Sequence, residues 1–549
     1  MAPPLIFVTS ATNDAVMVAP QGFLSERQWD SYQKALAVVE TTCVRGGIQI
    51  PARQAQLFIE SLGGAISCNL TESALAIVQE ASLARPAINE HAGQERLLHF
   101  TMLNTGRYLY PFQEDGVRWL APRREALLAD SMGLGKTPQL LVSLPPGAPV
   151  IVLVPAVVVT NWHREATTWR PDYRATMIKK RAAWRLPEPG EIVIASYGMA
   201  PAPGDEAITM PQGIHLVSDE SHLLKGTTDR HRTFKALHAA AKAANGVTWL
   251  ASGTPLQNHP PELWNVLSCA GLEREAFTSW PRFCHLFGGA KTKFIPVKGR
   301  RGGRRIVEWS GRPRPEVNAC LQRVWLRRTK EEVLPDLPAK RRTDVFLGSL
   351  DQATAKACDE AMAALAAAGV HLTGDDSDDL LDKIKDPDHV SQLAKARAQL
   401  AAAKVAPCVE IVEEFEEAEE PIVVASAYVA PCKALGARPG WACITGETPT
   451  AERGRIVDRF QAGELKGLAL TYRAGGVGIT LTRASNMILL DLDWTPAQIS
   501  QMEDRECRIG QTRGVLIQRL VADHALDRHV IRLLTRKQRM IDEVERKAP

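Results

Sequence analysis

Short runs of four to six apolar residues recur along two stretches of the chain and predict the buried strands of two sheets. The runs alternate with longer amphipathic segments, which is typical of parallel strands joined by helices. The first series lies at residues 126–129, 150–154, 192–195, 214–217 and 247–251. The second series lies at residues 421–426, 442–445, 467–471, 487–491 and 516–520. Two separate series favour two α/β domains over one large sheet.

The remaining residues have other patterns. Residues 1–100 contain amphipathic stretches at 26–39 and 73–83, and we expect a small α/β or helical accessory domain of unknown role. Residues 375–388 are acidic, and an alanine-rich helix runs from near Ser391 to about residue 420. We therefore expect four parts, with the following boundaries: an accessory domain at 1–100, a first α/β domain at 101–345, an acidic loop and helical linker at 346–420, and a second α/β domain at 421–549.

Composition narrows the class of protein. The 549 residues are 45% apolar and 23% charged, which is typical of a globular chain, and the net charge is +4. Ten cysteines form no CxxC pair, which argues against a disulfide framework or a zinc ribbon. No apolar run approaches the ~20 residues that span a bilayer, so we expect no membrane contact and a cytoplasmic location. The alanine-rich composition suggests a bacterial or phage source, in which case the protein would lie on the nucleoid or in the infected cell's cytoplasm.

One insertion is strongly basic. Residues 291–314 contain nine Lys or Arg and a single acid. Like charges at this density repel one another unless an anion lies near. The run indicates either a nucleic-acid contact or a flexible solvated loop, and the two interpretations stay open.

The segment DSMGLGKT at residues 130–137 has the features of a phosphate-binding loop. It follows a predicted strand and precedes a predicted helix, so backbone N–H groups at the helix start can surround phosphates. Lys136 would bring a charge to the β- and γ-phosphates, and the hydroxyl of Thr137 would ligate Mg²⁺. The strict pattern has glycine where this chain has Asp130, so Gly133 and Gly135 must supply the flexibility of the loop.

Two further segments complete the candidate chemistry. SDESH at residues 218–222 follows a predicted strand, and we assign Asp219 to the metal and Glu220 to the attacking water. QMEDRECRIGQTR at residues 501–513 places Arg505 and Arg508 three residues apart, on one face of an expected helix. Guanidinium groups from a separate domain could stabilise the charge that develops on a γ-phosphate. The alternative is a pair of surface arginines bonded to neighbouring glutamates.

Ten sequence blocks follow one another in a fixed order between residues 105 and 525. They are YPFQEDGVRWL (110–120), DSMGLGKT (130–137), VPAVVVTNWHREATTW (154–169), IASYGMA (194–200), SDESH (218–222), ASGTPLQN (251–258), LRRTKEEVLPDLPAK (326–340), PIVVASAY (421–428), LTYRAGGVGITLTRAS (470–485) and QMEDRECRIGQTR (501–513). In this order the set resembles the SWI/SNF-type ATPases of helicase superfamily two. The short spacing and FCHLFGGAK at 283–291 are similar to the HARP-like annealing-helicase branch.

The resemblance implies an α/β fold of two RecA-like P-loop NTPase lobes with parallel sheets, with ATP between the lobes and DNA across both. It implies that Gln113 reads the adenine edge. The residues that it places at ATP are Gln113, Asp130, Ser131, Met132, Gly133, Leu134, Gly135, Lys136, Thr137, Gly476 and Gly478. Those that it assigns to coupling of hydrolysis with lobe movement are His222, Thr254 and Gln501. Those that it places near the nucleic-acid backbone are Asn161, Trp162, Thr471 and Arg473.

The function expected from these residues is a DNA-dependent ATPase and translocase that uses ATP and Mg²⁺. It would move on duplex or forked DNA in repair, recombination or replication. An RNA- or RNA-polymerase-directed motor of the same superfamily is the alternative. A non-catalytic nucleic-acid clamp is disfavoured, because Lys136, Asp219, Glu220, Arg505 and Arg508 are all intact.

Overall fold

The computed structural model describes most of the chain from residue 91 onward and short pieces before it. The described residues are 6–12, 15–20, 32, 35, 42–44, 47–51, 68–70, 91–201, 209–296, 303–309, 312–348, 350–367, 387–475 and 479–545. The chain forms two compact units, one comprising residues 1–92 and 271–324 and the other residues 93–270 and 325–547.

The strands are short, and most of them lie in three sheets. In chain order they are β1 (Ile6–Thr12), β2 (Ala15–Pro20), β3 (Thr42–Val44), β4 (Gly47–Pro51), β5 (Cys68–Leu70), β6 (Glu125–Leu128), β7 (Val150–Val154), β8 (Arg174–Ile178), β9 (Glu191–Ser196), β10 (His215–Ser218), β11 (Val247–Ala251), β12 (Ala290–Pro296), β13 (Gly303–Trp309), β14 (Trp325–Leu326), β15 (Lys340–Phe346), β16 (Ile422–Ser426), β17 (Trp441–Ile444), β18 (Gly467–Thr471), β19 (Asn486–Leu489) and β20 (Val515–Val521).

Helices connect most of these strands. The α-helices among the described residues are Ala92–Met102, Pro111–Leu120, Lys136–Ser143, Val159–Trp169, Asp229–Ala243, Pro260–Ser268, Leu272–Phe277, Trp280–Leu286, Glu316–Leu321, Lys330–Val333, Gln352–Ala367, Pro387–Ala403, Val405–Glu417, Val429–Gly436, Thr450–Gln461, Tyr472–Gly475, Pro496–Glu503 and Ala525–Glu545. None of the helices in the described part of the chain is long and apolar enough to cross a membrane.

The smaller unit contains a five-stranded sheet in the order β3-β4-β2-β1-β5. Its strands pair antiparallel except β1 with β5. Of the predicted amphipathic stretch 26–39 only Tyr32 and Ala35 are described, both helical, and the stretch 73–83 lies outside the described residues. The basic insertion forms an antiparallel pair, β12 with β13. Residues 271–324 belong to this unit, although the sequence analysis placed them in the first α/β domain.

The larger unit contains two lobes, each built on a parallel sheet. The first sheet has the order β14-β6-β11-β10-β7-β9-β8 and the second β15-β20-β19-β16-β18-β17. Central strands such as β7 and β16 are buried along their whole length, because helices cover both faces of a parallel sheet and leave no solvated side. The prediction of two α/β lobes with parallel sheets is therefore confirmed.

The chain crosses from the first lobe to the second before residue 345, the predicted boundary. Strand β14 is the last strand of the first sheet, and β15 pairs in parallel with β20 of the second sheet. The lobe boundary therefore falls between Leu326 and Lys340 rather than at residue 345. Residues 327–339 form the interlobe segment.

The helices between residues 352 and 417 pack on the second lobe rather than forming a free linker. Side chains from Pro387–Ala403 and Val405–Glu417 share apolar clusters with strands of the second sheet and with the last helix. The buried ammonium of Lys404 donates to Asp527 and to the carbonyl of Leu520. The acidic segment 375–388 lies almost wholly outside the described residues.

Candidate nucleotide site between the lobes

The phosphate-binding loop connects β6 to the helix Lys136–Ser143. Gly133 and Gly135 have φ angles of 82° and 71°, a left-handed conformation that glycine adopts without steric cost. A Cβ on Gly135 would lie 2.3 Å from Nε2 of Gln113, so the loop also needs glycine there for close approach. The loop thus has the predicted strand–loop–helix geometry, with the N-terminus of the helix facing an anion site.

Lys136 lies inside this loop. Its Nζ donates to the carbonyl oxygen of Asp130 at 2.8 Å and to that of Ser131 at 3.3 Å. Burial lowers the pKa of Lys136, and the carboxylates of Glu220 and Asp219 oppose that shift. The ammonium group is therefore held at the phosphate loop beside the two carboxylates of the neighbouring strand end.

Asp130 and Gln113 form contacts that the sequence pattern does not indicate. The carboxylate of Asp130 is fully buried and accepts from Nε of Arg328 at 2.9 Å and from Nε2 of Gln139 at 3.1 Å. This ion pair restricts the predicted ATP-binding role of Asp130 to its main chain. Gln113 is 3% exposed; its Oε1 accepts from the N–H of Tyr110 and its Nε2 donates to the carbonyl of Leu134. The oxygen of the amide thus caps the helix Pro111–Leu120 and the nitrogen braces the phosphate loop, and the reading of adenine by Gln113 stays a prediction.

The two carboxylates of SDESH follow β10 directly. Oδ2 of Asp219 accepts from the indole N–H of Trp162 at 2.8 Å, and Oδ1 accepts from the N–H of Glu220 at 2.9 Å. Burial and the neighbouring Glu220 raise the pKa of Asp219. Burial acts in the same direction on Glu220, but His222 and Lys136 outweigh it and lower the pKa of that carboxyl group. Glu220 is therefore ionised and able to accept a proton.

A polar chain runs from Glu220 to the next loop. Nδ1 of His222 lies 3.2 Å from Oε2 of Glu220 and 3.2 Å from Oγ of Ser252. The same Oγ accepts from the N–H of Thr254 at 3.2 Å. The predicted coupling residues His222 and Thr254 are thus connected to the candidate base through Ser252, whereas Gln501 is buried on the second lobe.

Trp162 is buried beside the carboxylates and not on a nucleic-acid surface. Only 2% of the residue is exposed, and its one polar atom is bonded to Asp219. The indole is therefore occupied at the carboxylates, and the contact of Trp162 with nucleic acid stays a prediction that this position does not favour. Of the other predicted contacts, Thr471 is buried, and Asn161 and Arg473 are exposed.

Arg505 and Arg508 come from the second lobe. The helix Pro496–Glu503 ends before them, so both lie in the following turns and not on the helical face that their spacing predicted. Nη1 of Arg508 donates to Oγ1 of Thr480 at 3.0 Å and to the carbonyl of Ile479 at 3.2 Å. Burial and the neighbouring Arg508 lower the pKa of Arg505, and Glu220 opposes the shift.

One cavity of about 370 Å³ brings the predicted residues of both lobes together. Its lining includes Lys136, Thr137, Asp219, Glu220, Arg505 and Arg508. A Cβ on Gly133 would lie 3.2 Å from Cγ of Arg508, so the arginine stem lies directly on the phosphate loop. Gly476 and Gly478 lie outside the described residues.

The cavity suits a nucleotide with Mg²⁺. Mg²⁺ prefers oxygen ligands and is usually held by one or two carboxylates together with substrate phosphates and water. Asp219, fixed by Trp162, and Thr137 supply one carboxylate and one hydroxyl to the same cavity. The donor set therefore fits the predicted metal.

Three basic residues of the interlobe segment were missed as functional residues. Arg327, Arg328 and Lys330 lie in the block LRRTKEEVL, to which the sequence analysis gave no role. The signal available was a run of cations directly after a short strand. The residues that bond to these three side chains lie far from them in the sequence, so the run of cations alone does not indicate those bonds.

Comparison with known proteins identifies two domains. An SNF2-related domain matches residues 112–368, and a helicase conserved C-terminal domain matches residues 404–510. The putative ATP-dependent helicase/translocase YwqA of Bacillus subtilis is 26% identical over 79% of this chain and 48% of its own length. The SWI/SNF-related matrix-associated actin-dependent regulator of chromatin subfamily A-like protein 1 of Xenopus tropicalis is 30% identical over 80% of this chain and 45% of its own.

A further curated protein and a solved structure are also similar to this chain. The DNA annealing helicase and endonuclease ZRANB3 of Bos taurus is 26% identical over 78% of this chain and 40% of its own length. The chain thus spans less than half the length of these curated relatives. Among solved structures, a Sulfolobus solfataricus SWI2/SNF2 ATPase core in complex with dsDNA is 24% identical over 79% of this chain and 92% of that one, with a TM-score of 0.35. The first match covers the first lobe and extends to the helix Gln352–Ala367 on the second, and the other match lies within the second lobe, so the chain contains an SNF2-related domain followed by a helicase conserved C-terminal domain.

Proposed function

We propose that the chain is a DNA-dependent ATPase that moves along duplex or branched DNA. The observation that carries the proposal is the interlobe cavity, to which the first lobe contributes Lys136, Asp219 and Glu220 and the second contributes Arg505 and Arg508. A nucleotide bound there would be in contact with both lobes. Hydrolysis would remove the phosphate that joins them, so ATP turnover and lobe movement would be coupled.

We assign each residue of the cavity a chemical role as part of this proposal. Lys136 contacts the β- and γ-phosphates, and Glu220, ionised beside His222, accepts the proton of the attacking water. Arg505 and Arg508 stabilise the charge that develops on the transferred phosphoryl group. Mg²⁺, held by Thr137 and Asp219, would supply further charge stabilisation at the phosphate oxygens.

Three observations support DNA as the partner. The relatives above are named for DNA annealing or for chromatin, which favours DNA over RNA. Asn161 and Arg473 are exposed, as backbone contacts must be. The basic run includes the two strands of the β12–β13 hairpin, and its last two cations, Arg312 and Arg314, are exposed. We infer a cytoplasmic location, on the nucleoid or in a phage-infected cell if the source is bacterial. We also infer that the chain belongs to the HARP-like branch.

The test is the rate of ATP hydrolysis by the purified chain with matched duplex, single-stranded and forked DNA and with RNA. We expect duplex or forked DNA to stimulate hydrolysis more than single-stranded DNA or RNA of equal length. Lys136→Ala and Glu220→Gln should each abolish the stimulated rate, the second with ATP binding retained. Stimulation by RNA alone would favour the RNA-directed motor, and normal turnover by either variant would contradict the assigned roles.

A further inference from the structure

The interlobe segment contacts the phosphate loop at its start. Nη1 of Arg327 donates to the carbonyl of Ala129 at 2.6 Å and to that of Gly253 at 2.9 Å. Arg328 forms the buried ion pair with Asp130. The first residues after β14 therefore hold the base of the loop that contains Lys136.

Three residues after Arg327, the same segment contacts the arginine-bearing turns of the second lobe. We call residues 504–509 the finger loop. Lys330 is 7% exposed, and its Nζ donates to Oδ1 of Asp504 at 2.8 Å and to the carbonyl oxygen of Cys507. Asp504 directly precedes Arg505, and Cys507 directly precedes Arg508. One ammonium group thus bonds the residue that precedes each arginine, through the side chain of Asp504 and the backbone of Cys507.

The stem of Lys330 also lies on the phosphate loop. A Cβ on Gly133 would lie 3.5 Å from Cε of Lys330 and 3.2 Å from Cγ of Arg508. Lysine and arginine stems therefore share one face of this glycine, which comes from the first lobe. Lys330 is in contact with the loop of one lobe and bonded to the finger loop of the other.

The conformation of Lys330 is set locally. It starts the short helix Lys330–Val333, which has a reciprocal cap between Thr329 and Glu332. The N–H of Thr329 donates to Oε2 of Glu332 at 2.7 Å, and the N–H of Glu332 donates to Oγ1 of Thr329 at 3.3 Å. The cap fixes the backbone from which the Lys330 side chain extends.

We propose that Lys330 is a positioning residue that holds the finger loop against the phosphate loop, so that Arg505 and Arg508 reach the γ-phosphate. The inference rests on the proposed nucleotide site and adds a residue that touches no substrate. Without the ammonium group the carbonyl of Cys507 loses its donor, and the finger loop is free to shift. A shift of about 1 Å in a group that stabilises the transition state costs on the order of 100-fold in rate.

Lys340 provides a matched control. Its Nζ lies 3.0 Å from Oε2 of Glu503 and 3.3 Å from the same Oδ1 of Asp504. It shares the acidic partner of Lys330, but no hydrogen bond to the finger-loop carbonyl is among its contacts in the described structure. Lys340→Met therefore removes an equal charge from the same cluster and leaves the bond to Cys507 in place.

The experiment measures the affinity of the full chain for ADP and for ADP with aluminium fluoride, both with Mg²⁺, by calorimetry. The second ligand mimics the transferred phosphoryl group, so only its binding depends on the guanidinium groups. We expect Lys330→Met to lose about 100-fold in affinity for the mimic while ADP affinity stays within about 2-fold. Lys340→Met should keep both affinities within about 3-fold, and Lys330→Arg, which keeps two donors, should recover most of the loss.

Three results with the variants would overturn the proposal. They are unchanged affinity of Lys330→Met for the mimic, an equal loss for ADP and the mimic, and an equal loss in Lys340→Met. Failure of the wild-type chain to prefer the mimic over ADP would do the same. If the predicted pattern is found but DNA does not stimulate hydrolysis, the proposed DNA-dependent function fails while the role of Lys330 stands.

Discussion

The indole N–H of Trp162 donates to Oδ2 of Asp219, the carboxylate that faces the nucleotide cavity. Partners of a metal-binding carboxylate fix its orientation, and their loss typically costs 10–100-fold in metal affinity. We expect Trp162→Phe to raise the Mg²⁺ concentration needed for half-maximal ATP hydrolysis by about 10-fold. DNA affinity should stay unchanged, because the residue is buried. The measurements are a Mg²⁺ titration of the ATPase rate and a DNA-binding isotherm.

Trp169 gives the control for that prediction. It lies on the same helix, and its indole N–H donates to Glu165 at 2.8 Å, away from Asp219. Trp169→Phe therefore removes the same type of bond and should leave the Mg²⁺ requirement unchanged. Weaker DNA binding by Trp162→Phe with a normal Mg²⁺ requirement would instead favour the predicted contact of Trp162 with nucleic acid.

At the scale of the residue, the sequence predicts which side chains could act on a nucleotide better than it predicts which side chains bond to one another. Lys136, Asp219 and Glu220 could be assigned because each ends or follows an apolar strand in a spacing that the chemistry requires. The bond from Trp162 to Asp219 joins residues 57 apart, and the ion pair of Arg328 with Asp130 joins residues 198 apart. Such pairs form only when the sheet is assembled, so the local pattern does not contain them.

At the scale of the element, all ten predicted strands were found, with bounds shifted by no more than two residues. The strands that were missed in the larger unit, β8, β14 and β15, lie at the ends of the two sheets. An edge strand is solvated on one side and need not be apolar, and β15 reads KRRTDVF with most residues exposed. Because β15 has no apolar run, the sequence pattern left it in the first lobe, whereas it pairs with β20 of the second.

The hairpin of β12 and β13 is the candidate DNA contact of the basic insertion. Lys298, Arg300 and Arg301 lie between the two strands in the sequence. If these cations contact DNA phosphates, each contact releases counterions, and the slope of log K against log salt changes by about 0.9 per contact. We expect replacement of all three by Gln to weaken DNA binding and to flatten the slope by about 2 to 3. Binding isotherms at several salt concentrations measure both.

Three exposed cations elsewhere serve as the comparison for the hairpin. Lys433, Arg455 and Arg459 belong to the second lobe and form local ion pairs with glutamates. Their replacement by Gln changes the net charge by the same amount and should leave the salt slope intact. Equal effects of the two triple variants would mean that the slope reports total charge, and the hairpin would then be a solvated loop.

At the scale of the whole molecule, three cations and two carboxylates from separate lobes surround one cavity. Lys136, Arg505 and Arg508 repel one another, and a triphosphate with its Mg²⁺ neutralises that repulsion. Contact between the lobes should therefore be most stable with ATP bound and weaker with ADP. The sequence predicted both halves of this site, but the interlobe segment that ties them together was visible only in the structure.

The final prediction tests that linkage directly. Glu220→Gln should bind ATP without hydrolysing it, so the lobes should stay together and the radius of gyration measured by small-angle X-ray scattering should fall on adding ATP. Adding Arg505→Ala and Arg508→Ala to this variant should keep ATP binding through Lys136 but remove the compaction, because the second lobe no longer contacts the γ-phosphate. Adding Lys136→Ala instead should weaken ATP binding itself, which separates loss of ligand from loss of closure. Compaction that persists without both guanidinium groups would mean that closure depends on other contacts, and the arginines would then act in chemistry alone.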